Sequence, residues 1–455
     1  MRGDLLMKPL GNFPEPFQLA NNSSRFNSLS RGYKFVEKRS VLFQMFLFLF
    51  FFAFLFPSLV YSFNAEFEIK SLRVYSGSDE TSFPVIDYSS DGEKSITIDF
   101  DVQATFYPNL IIQFKYCDDN WLPYENQFLQ NPLYNTEYNL WLDKIPSGVS
   151  GARYHYTGTF PNNNVQFPFS GKWMFFITDS QNKNLVYASE KFFVINPDVK
   201  LNVQVMRETM QGSYGDKANL GRTLVIKTNF TLPDSLISAN VRKIEIVKNR
   251  MISNPIVVDR NTNTQERYYE WDAGRKFSFI ARNLRPGNEY RQIDTRNLSN
   301  YPTPTVDAKF GEFDQSDLFT KHPRDFNGSS LLLNFKNANA DYQNVVFKLK
   351  APENVTKPIF LTGSFNDWKL LPEFEMYDDN GMMNISVPLK RGVHAYQYVA
   401  ADINGDRISN ADWEILEGNF FETENEYYIF LYYESQEKGG YNKVIGFAKI
   451  RTGAL

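Results

Sequence analysis

Along most of the chain, apolar and polar residues alternate with a period of two. Ile96, Ile98 and Phe100 alternate with Ser95, Thr97 and Asp99, which puts three apolar side chains on one face of a strand. Leu110, Ile112, Phe114 and Tyr116 repeat the pattern, as do Trp173, Phe175 and Ile177, and Phe192–Ile195 closes that stretch. Met383, Ile385, Val387 and Leu389 carry it into the last quarter of the sequence. Turn-forming clusters such as Ser89-Ser90-Asp91-Gly92 and Asn162-Asn163-Asn164 separate the runs. No window carries a capped apolar stripe of helical period. The pattern predicts an all-β protein of tandem antiparallel sandwiches with little helix.

One segment breaks the alternation. Val41–Val60 is a near-continuous apolar block, preceded by Lys34, Lys38 and Arg39 and followed by Tyr61-Ser62. A basic flank, an apolar run and small residues at a cut site describe an export signal, here residues 1–62 with cleavage after Ser62. The rival is a single membrane anchor, since about 20 apolar residues cross a bilayer; Pro57, just before the cut site, favours the signal. The stretch upstream is long for such a leader, and no cysteine follows it closely as a lipid-attachment site. Beyond it, polar or proline-bearing joints divide the chain into 63–198, 199–338 and 339–455, the middle unit carrying a long polar loop from Asp314 to Ser330.

Composition narrows the chemistry. With a formal net charge of −4 and a pI near 5.7, the chain has no basic footprint for nucleic acid. The single cysteine, Cys117, excludes an intramolecular disulfide framework, and three histidines (His155, His322 and His394) leave little material for a metal centre. Each histidine reads as a partly exposed strand or loop residue. Nucleophile elbows, phosphate loops and dinucleotide fingerprints are absent. The carboxylate pairs Asp118-Asp119 and Asp378-Asp379 fall in predicted turns, not across a cleft. Asp402, Asn404 and Asp406 alternate as in a calcium loop, but Gly405 comes too early and Trp413 stands where a bidentate acid belongs, so a hairpin is expected there.

A more informative string is Gly363-Ser-Phe-Asn-Asp-Trp368, followed by Gly392-Val-His-Ala-Tyr396-Gln-Tyr398. It resembles the turn and later strand of glycogen- and starch-binding modules of the early-set, immunoglobulin-like sandwich class. There an exposed tryptophan stacks on sugar faces, and Trp368 is the residue that would inherit that role. The bland alternative is that Phe365 and Trp368 pin a sandwich corner.

Three further strings lie in order with that one. Tyr116-Cys117-Asp118-Asp119-Asn120-Trp121, Arg285-Pro286-Gly287-Asn288-Glu289-Tyr290-Arg291, and Glu422-Thr423-Glu424-Asn425-Glu426-Tyr427 with Tyr432-Tyr433 and Tyr441–Gly446 resemble segments of the plug proteins of the Bacteroidota type IX secretion system. The likeness spans roughly Phe67 to Lys449; Tyr116 in place of the commoner histidine and the long leader are departures. The resemblance implies an exported, non-enzymatic periplasmic protein. It would associate with the giant outer-membrane translocon β-barrel and its subunits and close the barrel's inner mouth, with no catalytic residue, metal, cofactor, nucleic acid or small-molecule substrate. A compact chain of this size measures about 55 Å across, enough to obstruct a wide pore. A glycan-binding protein of the periplasm or cell surface is the alternative that Trp368 keeps open. A hydrolase with sandwich accessory modules ranks last, for want of a catalytic domain.

Overall fold

The computed structural model describes residues 67–138, 140–209, 221–302, 304–316, 325–332 and 334–453; the expected leader and His322 lie outside them. Half of the described residues are strand, and among them there is no α-helix, only 3₁₀ turns such as Ser238–Asn240 and Pro372–Phe374. The all-β expectation holds.

Six sheets form three sandwiches. The first pairs the sheet Glu68–Ser76, Ile96–Gln103, Tyr154–Phe160, Asp143–Lys144 with a sheet of Val85–Asp87, Val186–Ile195, Gly171–Asp179, Leu110–Cys117 and Thr136–Glu137. Ile98, Phe100, Ile112, Phe114, Trp173 and Phe175, the residues of the period-two runs, fill the space between them. The second sandwich faces Asn202–Thr209, Arg222–Thr231, Lys276–Leu284 and Arg267–Trp271 against Tyr441–Thr452, Asn425–Ser435, Val241–Lys248 and Ile256–Asp259. The third is built from Arg291–Asp294, Val393–Asn404 and Ile359–Gly363 against Tyr342–Lys350, Met382–Lys390 and Tyr377–Asp379.

The linear division at 338/339 is therefore corrected. Asn425–Ser435 runs antiparallel to Val241–Lys248, with Ile246 opposite Ile429, so the C-terminal hairpin completes the second sandwich. The third sandwich is an insertion between two halves of the second. The expected Asp314–Ser330 loop also holds structure: Asp314–Gln315 pairs in parallel with Tyr342–Lys350, and the Asp314 carboxylate accepts from the hydroxyls of Tyr396 and Tyr398, each at 2.8 Å.

Several strands are buried on both faces. Asn425–Ser435 turns Tyr427, Ile429, Leu431 and Tyr433 into its own sandwich and Tyr428, Phe430 and Tyr432 outward. The outward set meets Phe83, Phe193 and Ile195 of the first sandwich, with the Phe193 and Phe430 ring centroids 4.2 Å apart. Sheets of neighbouring sandwiches thus pack face to face as the sheets within one do.

Candidate functional site

Covering the second face of a strand buries the polar half of its alternation, which must then find partners. On Ile96–Gln103 that half is Thr97, Asp99 and Asp101, and the third sandwich covers it. Asp101 is wholly buried. Its Oδ1 lies 2.8 Å from His155 Nδ1, and its Oδ2 accepts from Lys390 Nζ at 2.7 Å and from the Tyr342 hydroxyl at 2.9 Å. Burial alone would raise this carboxyl, but the His155 hydrogen bond and the Lys390 charge hold it below its ordinary value. Beside it Arg73 binds Asp99 and Glu80, and Phe335 stacks on the His155 ring at 3.9 Å.

A second seam joins the first and second sandwiches. Lys172 Nζ donates to Glu245 Oε1 at 2.9 Å and to the Asp119 carbonyl at 2.7 Å, over the rings of Trp121 and Tyr432. Lys243 reaches the same Glu245 oxygen at 2.8 Å and Asp119 Oδ2 at 3.1 Å. The Tyr116 hydroxyl crosses to the Asn442 carbonyl at 2.6 Å.

The third seam lies where the chain leaves the second sandwich and returns to it. Gly287, at φ +75°, donates its N–H to Asn419 Oδ1 at 2.8 Å, and its carbonyl accepts from Phe420 N and Thr423 Oγ1. A Cβ there would stand 3.0 Å from Lys248 Nζ, which donates to the Pro286 carbonyl at 2.6 Å. Asn425 Nδ2 donates to that carbonyl too. All four recognised strings therefore lie on seams.

The expected site residues fare differently. Trp368 is 4% exposed: its ring packs on Tyr290 at 4.2 Å, and its Nε1 donates to the Gly328 carbonyl at 2.9 Å. The glycan-stacking role is withdrawn, because a buried ring offers no face to a sugar; Trp368 pins a corner where the third sandwich meets Tyr290 of the crossing. His155 and His394 are buried, not partly exposed, since each points into the seam between first and third sandwiches. Cys117 is buried too, and burial pushes its thiol up to about 12, so it is no nucleophile at neutral pH. Val393–Asn404 and Arg407–Asp412 form the expected hairpin, with Asn404 opposite Arg407 and Asp402 held by Lys357 and Asn410. Among the described residues, no group of three or more His, Cys, Asp or Glu is placed to hold a metal.

The seams predict a pH dependence. Burial, with Asp367 beside it, pushes the Glu190 carboxyl up to about 8, while Lys369 Nζ lies 3.0 Å away. Burial and Glu289 likewise raise Asp325 to about 8. Both groups stay protonated in the fold after the unfolded chain has lost the proton, so their contribution to stability, full below about 4, is lost as pH climbs to about 8. Burial lowers His394 to about 4, and its contribution is lost in the opposite direction, as pH falls from 6.5. Denaturant midpoints should therefore decline from pH 6 to 8, and Glu190→Gln should flatten that decline. An unchanged slope in the variant would contradict the assignment.

What sequence reasoning missed is on the surface of the first sandwich. Ten of the seventeen large apolar side chains exposed among the described residues fall between 106 and 186. Leu122, Phe128, Leu133 and Tyr134 line the excursion after Cys117; Leu133 is 84% and Phe128 75% exposed. Phe106, Tyr107, Tyr138, Trp141, Leu185 and Val186 gather at one end of the sandwich. Apolar residues in segments that the alternation leaves as turns were the available signal.

Fold and surface together describe a scaffold of three interlocked β-sandwiches with an exposed apolar flank and no catalytic constellation among the described residues. Residues 69–196, the first sandwich, match the type 9 secretion system plug protein 1st domain, which supports the resemblance of the chain to the type IX secretion plug family. That is a secretion accessory family, not a known enzyme family. A crystal structure of a hypothetical protein from Parabacteroides merdae ATCC 43184 is similar, with a TM-score of 0.68 at 20% identity over 85% of this chain and 97% of that one. At that identity it shows the shared fold. No curated protein matches the chain.

Proposed function

We propose that the protein is a non-enzymatic periplasmic accessory of type IX secretion that binds the outer-membrane translocon barrel and occludes its inner opening. The reading is carried by the plug first domain at 69–196, which presents the apolar flank of Leu122, Phe128, Leu133 and Tyr134. A plug must resist deformation by passing chains, and seams closed by buried ion pairs such as Asp101–Lys390 and Lys172–Glu245 tie the sandwiches into one body. Export by the leader 1–62 would deliver it to the inner side of the outer membrane. The glycan-binding alternative loses its one supporting residue with the burial of Trp368.

A photo-crosslinking residue at Phe128 or Leu133 in living cells should give adducts with a very large barrel protein, and one at Tyr377 of the third sandwich should not. Recovery of no barrel protein, by crosslinking or by pull-down from detergent-solubilised outer membrane, would refute the proposal.

A further inference from the structure

The end of the first sandwich opposite Cys117 and Lys172 carries three interlocked segments. Asn109 ends the first and its carbonyl accepts from Ser180 N at 2.9 Å; Tyr107 bridges to the second, donating to the Leu140 carbonyl at 3.3 Å and accepting from Leu142 N at 3.0 Å. Lys183, in the third, lies over the Tyr138 ring of the second at 5.2 Å. Leu185 closes that third segment through its carbonyl to Asp179 N. Strand pairing of Leu110 with Asp179 fixes all three at the same edge. These hydrogen bonds and the Lys183–Tyr138 contact tie the three segments to one another.

What this tip exposes is unusual. Trp141 is 87% and Phe106 77% exposed, with Tyr107, Tyr138, Leu185 and Val186 beside them. Side chains that open stand out from the surface and do not line a groove, so a partner must take them in as projections. Segments 105–109, 138–142 and 180–186 contain one lysine, Lys183, and no aspartate or glutamate, in a chain with 52 acidic residues; the exposed pair Asp143 and Lys144 follows the second segment directly. The nearest carboxylate in the third segment's turn, Asp179, is occupied at the base by the N–H groups of Gln181 and Asn182.

We propose that this tip docks on a phospholipid bilayer, seating Trp141, Phe106 and Leu185 at the boundary of headgroups and acyl chains with Lys183 at the level of anionic headgroups. Tryptophan and tyrosine belong to that boundary, where a ring meets hydrocarbon on one side and water on the other. A projecting apolar cluster needs no complementary pocket in a fluid leaflet, and a carboxylate-free tip with a lysine is not repelled by its negative surface. The flank at Phe128 and Leu133, the surface assigned to the translocon, is a separate part of the same domain. The inference stands on the tip alone, and its vesicle measurements contain no translocon, so either reading can fail without the other.

The test uses the full chain and vesicles of phosphatidylethanolamine and phosphatidylglycerol, with and without brominated acyl chains. Co-sedimentation should weaken roughly tenfold in the double variant Phe106→Ala, Trp141→Ala, and severalfold in Lys183→Gln at low salt. Brominated chains should quench the fluorescence of the wild type more than that of Trp141→Phe. Any contribution of the leader is common to all these proteins and cancels. Because the side chains removed are exposed, the variants should melt with the wild type, and Tyr377→Ala should bind vesicles unchanged. Equal sedimentation of double variant and wild type, or equal quenching with and without Trp141, would overturn the proposal. So would a double variant that keeps its vesicle binding and instead loses barrel recovery in detergent, since the tip would then be a protein contact.

Discussion

Replacing Asp101 with asparagine should lower the unfolding free energy by about 3–5 kcal/mol, the range for removing one partner of a buried charge pair. The substitution keeps shape and volume, so the cost is electrostatic. Lys390, 2% exposed, loses the carboxylate 2.7 Å away that accepts from its ammonium. His155 Nδ1 and the Tyr342 hydroxyl lose an anionic acceptor at the same time. These groups come from two sandwiches, so the damage should spread: the guanidinium midpoint should fall, and the third sandwich should separate earlier than the other two. Adding Lys390→Met to the asparagine variant removes the stranded charge. The double variant should therefore be more stable than the two single losses added together. A loss below about 1 kcal/mol in Asp101→Asn, or strict additivity in the cycle, would mean that the seam is wet and the ion pair contributes little.

Ile96–Gln103 also shows where sequence reasoning stops. The alternation of Ile96, Ile98 and Phe100 is legible because one apolar face is needed by any sandwich. The fate of Thr97, Asp99 and Asp101 is not, since polar residues on the other face are written the same way whether water or a charged partner meets them. Lys243 and Glu245 on Val241–Lys248 were silent for the same reason. The nested topology was hidden by distance: Ile246 and Ile429 pair across the whole third sandwich, and no local pattern records a partner so far along the chain.

The strings that resemble the plug family lie on the seams. A crossing such as Arg285–Arg291 needs a glycine at φ +75°, a proline, and side chains that satisfy exposed backbone, so few substitutes serve. Packing positions in the sheets accept any apolar residue of suitable size, and leave a weaker trace. The same logic explains why the apolar tip went unread. Thr105–Asn109 and Tyr138–Leu142 lie in segments that the alternation leaves as turns, and the structure shows Phe106 and Trp141 facing outward there.

Trp368 is where motif and structure part, and its replacement should be nearly as costly as that of Asp101. Trp368→Ala deletes a large buried ring from a corner shared with Tyr290 and Ala395, and should cost about 3–5 kcal/mol. Collapse cannot fill the space, because the neighbours are fixed from elsewhere: the Tyr290 hydroxyl accepts from Asn249 at 3.1 Å, and Gly328 at φ +84° is held by its turn. Trp368→Phe separates packing from polarity. It keeps an aromatic contact with Tyr290 but strands the Gly328 carbonyl, so a loss of about 1–3 kcal/mol is expected, between wild type and alanine. Filling from the opposite side should fail as well, since a Cβ on Gly328 would stand 3.0 Å from the indole, and Gly328→Ala adds a left-handed strain. Denaturant midpoints order these variants. If alanine at 368 left stability unchanged while abolishing a measurable affinity for maltooligosaccharides, the ring would have to be exposed in solution, and both the buried corner and the withdrawal of the sugar platform would be wrong.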